Sequence, residues 1–236
     1  MEASTFKAVT FTTYGYKDLT LNLIKSIQEN KINLDLEIFA LDNDAADFFE
    51  KHSQQVRTTD NQSIDELNRL LPYGSEKFGE VMMQKLNIIY TSLIENEFIL
   101  YLDGDIVIKR DISNYLIKNI KGNEILFQND LRPSKPNLIN VCAGFMFIRS
   151  NKKTIDFFNP KNIPVKKVLK YKTLDQTYIN KNRNKFKHKI LPLDLFPNGP
   201  HYYSYKKKLN PSIIHFNYLD SIEKESKMKE NGEWYL

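Results

Sequence analysis

The sequence predicts an α/β fold: one Rossmann-like sheet flanked by helices, with its chemistry at the carboxyl ends of the strands. Three observations carry that expectation. Residues 6–12 read as a strand, residues from Leu19 on as a helix and residues 36–41 as a second buried strand, the opening of a parallel sheet. Residues 98–108 form an apolar run broken only around Asp103-Gly104-Asp105, which suits a central strand covered on both faces. Further strand-like segments at 124–128, 141–148, 190–195 and 212–217 follow, spaced by helical or polar stretches.

Taken in order, the first strand leads through Thr13-Tyr14-Gly15-Tyr16 to Asp18, placed to cap a helix whose apolar positions are Leu19, Leu23, Ile24 and Ile27. The second strand ends in Asp42, and Asp42, Asp44 and Asp47 precede Phe48-Phe49 as acids gathered at a helix N-terminus. Residues 54–57 suggest a short strand and residues 72–75 a loop. Phe78, Val81, Met82, Leu86, Ile89 and Leu93 then form one apolar helical stripe with Lys85 inside it. That lysine either extends its ammonium to water or binds an anion. After the carboxylate strand, residues 141–148 place the small Ala143 and Gly144 where a ligand can approach the backbone. Residues 161–189 are rich in Lys and Asn, interrupted at 173–180 by a short helix with Asp175 in its first turn. No repeat or linker divides the chain, so residues 1–236 read as one domain, 1–105 a nucleotide-binding half and 106–236 a sugar- and acceptor-binding half.

Composition narrows the function. The 236 residues carry 41% hydrophobic side chains, enough for an ordinary core. The net charge is +5, but Lys far outnumbers Arg, the residue suited to forked phosphate recognition, so the excess fits general attraction to anions better than nucleic-acid binding. A single cysteine, Cys142, excludes an internal disulfide. No apolar run approaches the length of a membrane span, and the start lacks the pattern of a secretion signal; the expectation is a cytoplasmic protein.

Asp103 and Asp105 are the centre of the chemistry. On a strand, residues two apart point the same way, about 7 Å apart along the backbone. Two carboxylates converging there repel unless a cation lies between them, and a hard divalent ion keeps positions open for water and substrate phosphates. No Gly-rich phosphate loop of either common type occurs, so a metal is left to handle the phosphates. The plain alternative is a tight turn joining two strands.

The blocks Tyr101-Leu102-Asp103-Gly104-Asp105, Ala143-Gly144-Phe145-Met146, Asp175-Gln176, residues 193–199, His215-Phe216-Asn217 and Gly232-Glu233-Trp234 occur in an order and spacing that resembles a known family. It is that of the nucleotide-diphospho-sugar transferases, including the plant pectin xylosyltransferases, with a more distant similarity to glycogenin-like enzymes. The resemblance implies a GT-A fold, a Rossmann-like mixed sheet flanked by helices with Asp-x-Asp at the end of a central strand. It implies a divalent metal, Mn²⁺ or Mg²⁺, on Asp103, Asp105 and His215; the imidazole favours Mn²⁺. It places Thr12, Tyr14 and Asp42 at the base and ribose, and Lys85 and Gly104 at the diphosphate, joined there by Lys224 or Lys227. Ala143 and Gly144 would lie against the donor sugar, with Asp175 and Gln176 at the reacting carbon. The partners implied are a nucleotide-sugar donor, UDP-linked first, and a glycan or glycoprotein acceptor, with retention of configuration.

Two other readings start from the same residues. A haloacid dehalogenase-type phosphohydrolase would use Asp103 as nucleophile and Asp105 as acid and base, but that motif opens its domain and needs a second acidic pair. A non-catalytic module would bind through the basic, aromatic stretch 201–208, otherwise a solvated loop. An EF-hand fails, because Val107 and Asn114 stand where ligands are required.

Overall fold

A computed structural model of the chain describes residues 6–52, 54–58, 76–132, 134, 139–164 and 174–236. The loop expected at 72–75, and residue 173 at the start of the short helix, lie outside them. The elements are β1 (Lys7–Thr12), α1 (Lys17–Glu29), β2 (Leu36–Ala40), α2 (Asn43–Lys51), β3 (Gln55–Thr58), α3 (Glu76–Glu95), β4 (Phe98–Leu102), β5 (Ile106–Ile108), α4 (Ser113–Asn119) and β6 (Ile125–Asn129). They continue with β7 (Val141–Arg149), α5 (Lys152–Phe158), α6 (Asp175–Asn182), β8 (His188–Leu191), α7 (Gly199–Tyr205), β9 (Ile213–His215) and α8 (Ser221–Glu230).

Seven strands form one mixed sheet in the order β3-β2-β1-β4-β7-β6-β8, in which β7 alone runs against its neighbours. Its apolar runs are explained by burial on both faces. Along β4, Ile99 and Tyr101 pack with Leu86 and Ile89 of α3, while Leu100 and Leu102 pack with Leu23 and Ile27 of α1. Strand order reverses where β1 meets β4, the place at which such sheets open a crevice for ligands. Strands from both halves of the sequence share this sheet.

β5 and β9 form a separate antiparallel ribbon, with Ile106 opposite His215. It docks on α1, where Ile108 donates its N–H to Ser26 Oγ (3.0 Å). This ribbon carries the histidine of residue 215 back to the carboxylates, and the Phe216 N–H donates to the Asp105 carbonyl (3.0 Å).

Several expectations are corrected. Asp103 and Asp105 do not lie on a strand: β4 ends at Leu102, Ile106 donates its N–H to the Asp103 carbonyl (3.3 Å), and the two acids sit on the turn into β5. The chain turns there because β5 leaves the main sheet to pair with β9. Asp18 is not the cap of α1; a 3₁₀ turn at Tyr14–Tyr16 runs into the helix, and Asp18 occupies its first turn, where its charge still suits the dipole. The strand expected at 190–195 is β8, ending at Leu191, because Pro192 has no N–H to donate and its carbonyl instead accepts from Phe196 (2.9 Å). Stretch 201–208 is not an open loop: Asn198 caps α7 by accepting from the His201 N–H (3.0 Å), and Tyr202 and Tyr203 pack on Phe216. Among the described residues no helix is long and apolar enough to cross a membrane.

Candidate active site

A cleft of about 380 Å³ opens at the strand-order reversal. One wall comes from the end of β1 and the start of α1: Phe11, Thr12, Thr13, Tyr16, Leu19 and Thr20, none of them charged. Thr20 Oγ1 donates to Thr12 Oγ1 (3.0 Å), and Thr12 Oγ1 to the Thr13 carbonyl (3.1 Å), while the buried Thr13 hydroxyl has no protein partner. Beside this wall Asp42 caps α2, accepting from Ala45 N–H (2.7 Å) with one oxygen and from Tyr14 N–H (2.9 Å) with the other. The ends of β1 and β2 are thereby tied together.

Asp103, Asp105 and Lys224 also line the cleft and belong to an ionic cluster. Tyr101, two residues before Asp103, donates its hydroxyl to Asp103 Oδ1 (2.7 Å), and Lys85 Nζ lies 3.0 Å from the same oxygen. Lys85 also pairs with Asp175 Oδ2 (2.7 Å). The lysine therefore neither reaches water nor stands ready for an external anion alone: it is 2% exposed, held by two carboxylates from β4–β5 and α6. Asp105 divides its oxygens between His215 Nε2 (3.1 Å) and Lys224 Nζ (2.8 Å). Lys227, the other candidate after His215, pairs with Glu230 on the surface of α8 instead.

Burial disfavours the charged forms of Lys85, Asp105 and His215, and their partners decide the outcome. It pulls Lys85 down, but Asp103 and then Asp175 carry it above the ordinary lysine value. It pushes Asp105 up, yet Lys224 and His215 hold that carboxyl well below the usual range. His215, pulled down by burial, is driven well above an ordinary histidine by Asp105 and next by Cys142. Burial raises the Cys142 thiol, against the opposing pull of His215.

Ligand atoms of Asp103, Asp105 and His215 all lie within 4.8 Å of one another. Two carboxylates and an imidazole are a donor set for a divalent transition metal. Gly144 leaves the space: a Cβ there would overlap Asp103 Oδ2 and His215 Cε1, so only glycine lets these groups close on one point. Gly104 is required for a different reason, since its Cβ would strike Thr20 Oγ1. The residues present fit such an ion.

Next to this cluster, Gln176 Oε1 accepts from the Ala143 N–H (3.2 Å), and its Nε2 donates to Asp130 Oδ2 (2.9 Å). Asp130, almost fully buried, also accepts from Asn140 (3.0 Å) and the Tyr218 hydroxyl. The fold thus brings Asp103, Asp105, His215, Lys85, Lys224, Gly144 and Asp175 into one cluster, with Ala143 and Gln176 adjoining it. Thr12 lines the same cleft as Asp103, Asp105 and Lys224, with Tyr14 and Asp42 beside it. Sequence reading missed Tyr101, Gln128, Asp130 and the environment of Cys142. A signal was present: Gln128 lies near the end of the otherwise apolar β6 and Asp130 just after it, where a buried polar side chain needs partners.

Residues 35–230 match the nucleotide-diphospho-sugar transferase family. A UDP-galactose:fucoside alpha-3-galactosyltransferase of Dictyostelium discoideum is 28% identical, over 98% of this chain; the chain spans 43% of that relative's length. Among solved structures, the galactosyltransferase LgtC, in complex with donor and acceptor sugar analogues, superposes with a TM-score of 0.58 at 13% identity, covering 90% of this chain and 87% of the other. Mouse xyloside xylosyltransferase 1 in its apo form gives 0.57 at 11% identity, covering 90% and 98%. At such identities the likeness is one of fold, and it is the GT-A fold. The family match runs from β2 into α8 and contains the carboxylate turn, the histidine strand and Lys224: this protein belongs to the nucleotide-diphospho-sugar transferase family.

Proposed function

We propose that this protein is a glycosyltransferase that moves a sugar from a UDP-linked donor to a hydroxyl of a glycan or glycoprotein, with retention of anomeric configuration, using Mn²⁺ or Mg²⁺ held by Asp103, Asp105 and His215. The observation that carries the reading is the meeting of those three ligands within 4.8 Å of one another, with Asp103 and Asp105 lining a cleft that also presents the uncharged residues of β1 and α1. When bound, the ion would act as a Lewis acid on the departing diphosphate, an effect worth several kcal/mol. Family membership favours this reading over the phosphohydrolase and binding-module alternatives.

The chain's own residues divide the remaining work. Thr12 and Tyr14, with Asp42 bracing the Tyr14 backbone, take the base and ribose on the uncharged wall. Lys224 and Lys85 place fixed positive charge beside the carboxylates, where phosphate oxygens would arrive, and Gly104 lets the turn approach α1. Ala143 and Gly144 offer a flat backbone surface to the sugar ring. Asp175 and Gln176 stand at the reacting carbon: Lys85 keeps Asp175 oriented, and the Gln176 carbonyl retains a lone pair beyond its bond to Ala143, available to growing positive charge.

Thermal melting with UDP, GDP and their sugars, with and without Mn²⁺, tests the donor, since a ligand of the folded state raises the melting point. UDP-galactose and a fucoside acceptor, named by the Dictyostelium relative, come first. The expected result is Mn²⁺-dependent stabilisation by UDP and a product that keeps the donor's anomeric configuration by NMR. Stabilisation by no nucleoside diphosphate would remove the donor assignment, and an inverted product the retaining one.

A further inference from the structure

We infer that Gln128 is a positioning residue: its side-chain oxygen fixes His215 with a proton on Nδ1, leaving the Nε2 lone pair, beside Asp105, for the divalent cation. The inference rests on the metal site proposed above. His215 Nδ1 lies 2.7 Å from Gln128 Oε1, and both residues are buried. An amide's two ends look alike, but the surroundings settle this one. The far end of Gln128 is 3.2 Å from the Phe196 carbonyl and 3.0 Å from the Pro197 carbonyl, which can only accept, so the NH₂ must point to them and the oxygen to the ring. An oxygen facing Nδ1 requires a hydrogen on that nitrogen. Nε2 lies 3.1 Å from Asp105 Oδ1, and a bound cation would displace any proton there, whereas Nδ1 keeps its own for Gln128.

Two other features agree. The other neighbour of Nδ1, Cys142 Sγ, is farther away at 3.6 Å and accepts from the Gly144 N–H (3.4 Å), so the 2.7 Å contact to Gln128 is the closer partner of that nitrogen. The pairing of β6 with β7 shifts register between Phe127 and Gln128, an irregularity of the kind that re-aims a side chain toward a site. An outer partner that fixes a ligating histidine typically changes metal affinity by about 10- to 100-fold when removed.

The test uses the full chain and two variants. By calorimetry, Gln128→Leu is expected to weaken Mn²⁺ binding by about 10- to 100-fold. Gln128→Glu, which keeps an acceptor against Nδ1 but loses both donations to the carbonyls, is expected to bind Mn²⁺ within a few-fold of the wild type. If Gln128→Glu weakens binding as much as Gln128→Leu, or if Gln128→Leu binds as well as wild type, the inference is overturned. Histidine ¹⁵N spectra of the wild type loaded with Mg²⁺ need no variant: a proton is expected on Nδ1 and none on Nε2, and a proton on Nε2 with Nδ1 bare overturns the inference. A wild type that binds neither Mn²⁺ nor Mg²⁺ overturns the metal site and the inference together, whereas one that binds them but fails the variant test overturns the inference alone.

Discussion

The two walls of the cleft are built on different principles. The wall from β1 and α1 comes from consecutive residues, carries no charge, and is held by hydroxyl and backbone hydrogen bonds. The ionic side draws on the β4–β5 turn and α8, whose Asp103, Asp105 and Lys224 line the cleft, and the buried Lys85, Asp175 and His215 extend their ion pairs. An uncharged wall suits the neutral part of a nucleotide, a charged one its diphosphate. Substitutions should therefore be unequal: severe on the ionic wall, where removing one member strands buried charge, and mild on the other.

The largest effect is expected from Asp103→Asn, which keeps a bond to Tyr101 but removes a carboxylate ligand; sugar transfer followed with a labelled donor should fall by about 10³-fold. A comparable loss from Thr12→Ala would break the comparison. Lys85→Met leaves Asp103 and Asp175 facing each other without their shared ammonium. Breaking a buried pair in this way costs about 3–5 kcal/mol, seen as a melting point roughly 10 °C lower.

Metal affinity should depend on pH because Asp105 outweighs burial and raises His215. Binding at Nε2 expels that proton, so Mn²⁺ affinity measured by calorimetry is expected to climb about tenfold per pH unit below the raised value and level off above it. In the metal-free protein the same pair stabilises the fold fully below the unfolded histidine value. That contribution is lost as pH rises through the folded one. Asp105 acts at the other end: its depressed folded value contributes stability above the unfolded carboxylate range, lost as pH falls through the folded value.

Lys224→Ala should raise the donor KM about tenfold, while Lys227→Ala, which breaks only a surface pair with Glu230, should leave it unchanged. Asp42→Ala is the smallest change. Loss of its cap on α2 should cost about 1 kcal/mol in denaturant unfolding, with donor affinity altered more than turnover.

Much was decided by local sequence. The apolar runs at β1, β2, β4 and β7, the stripe on α3, and the acids before α2 each specify their element through periodicity or capping, and the structure forms them where expected. Asp103 and Asp105 stood out because two carboxylates interrupt a run otherwise destined for the interior. What the sequence could not contain is distance. That β5 leaves the main sheet and pairs with β9, bringing residue 215 beside residue 105, is a matter of strand register. That Lys85 meets Asp175, that Lys224 and not Lys227 reaches Asp105, and that Gln128 faces the histidine ring depend on how helices and sheet pack. Periodicity reports which side of an element is buried, whereas only the packed chain determines which buried polar groups satisfy one another.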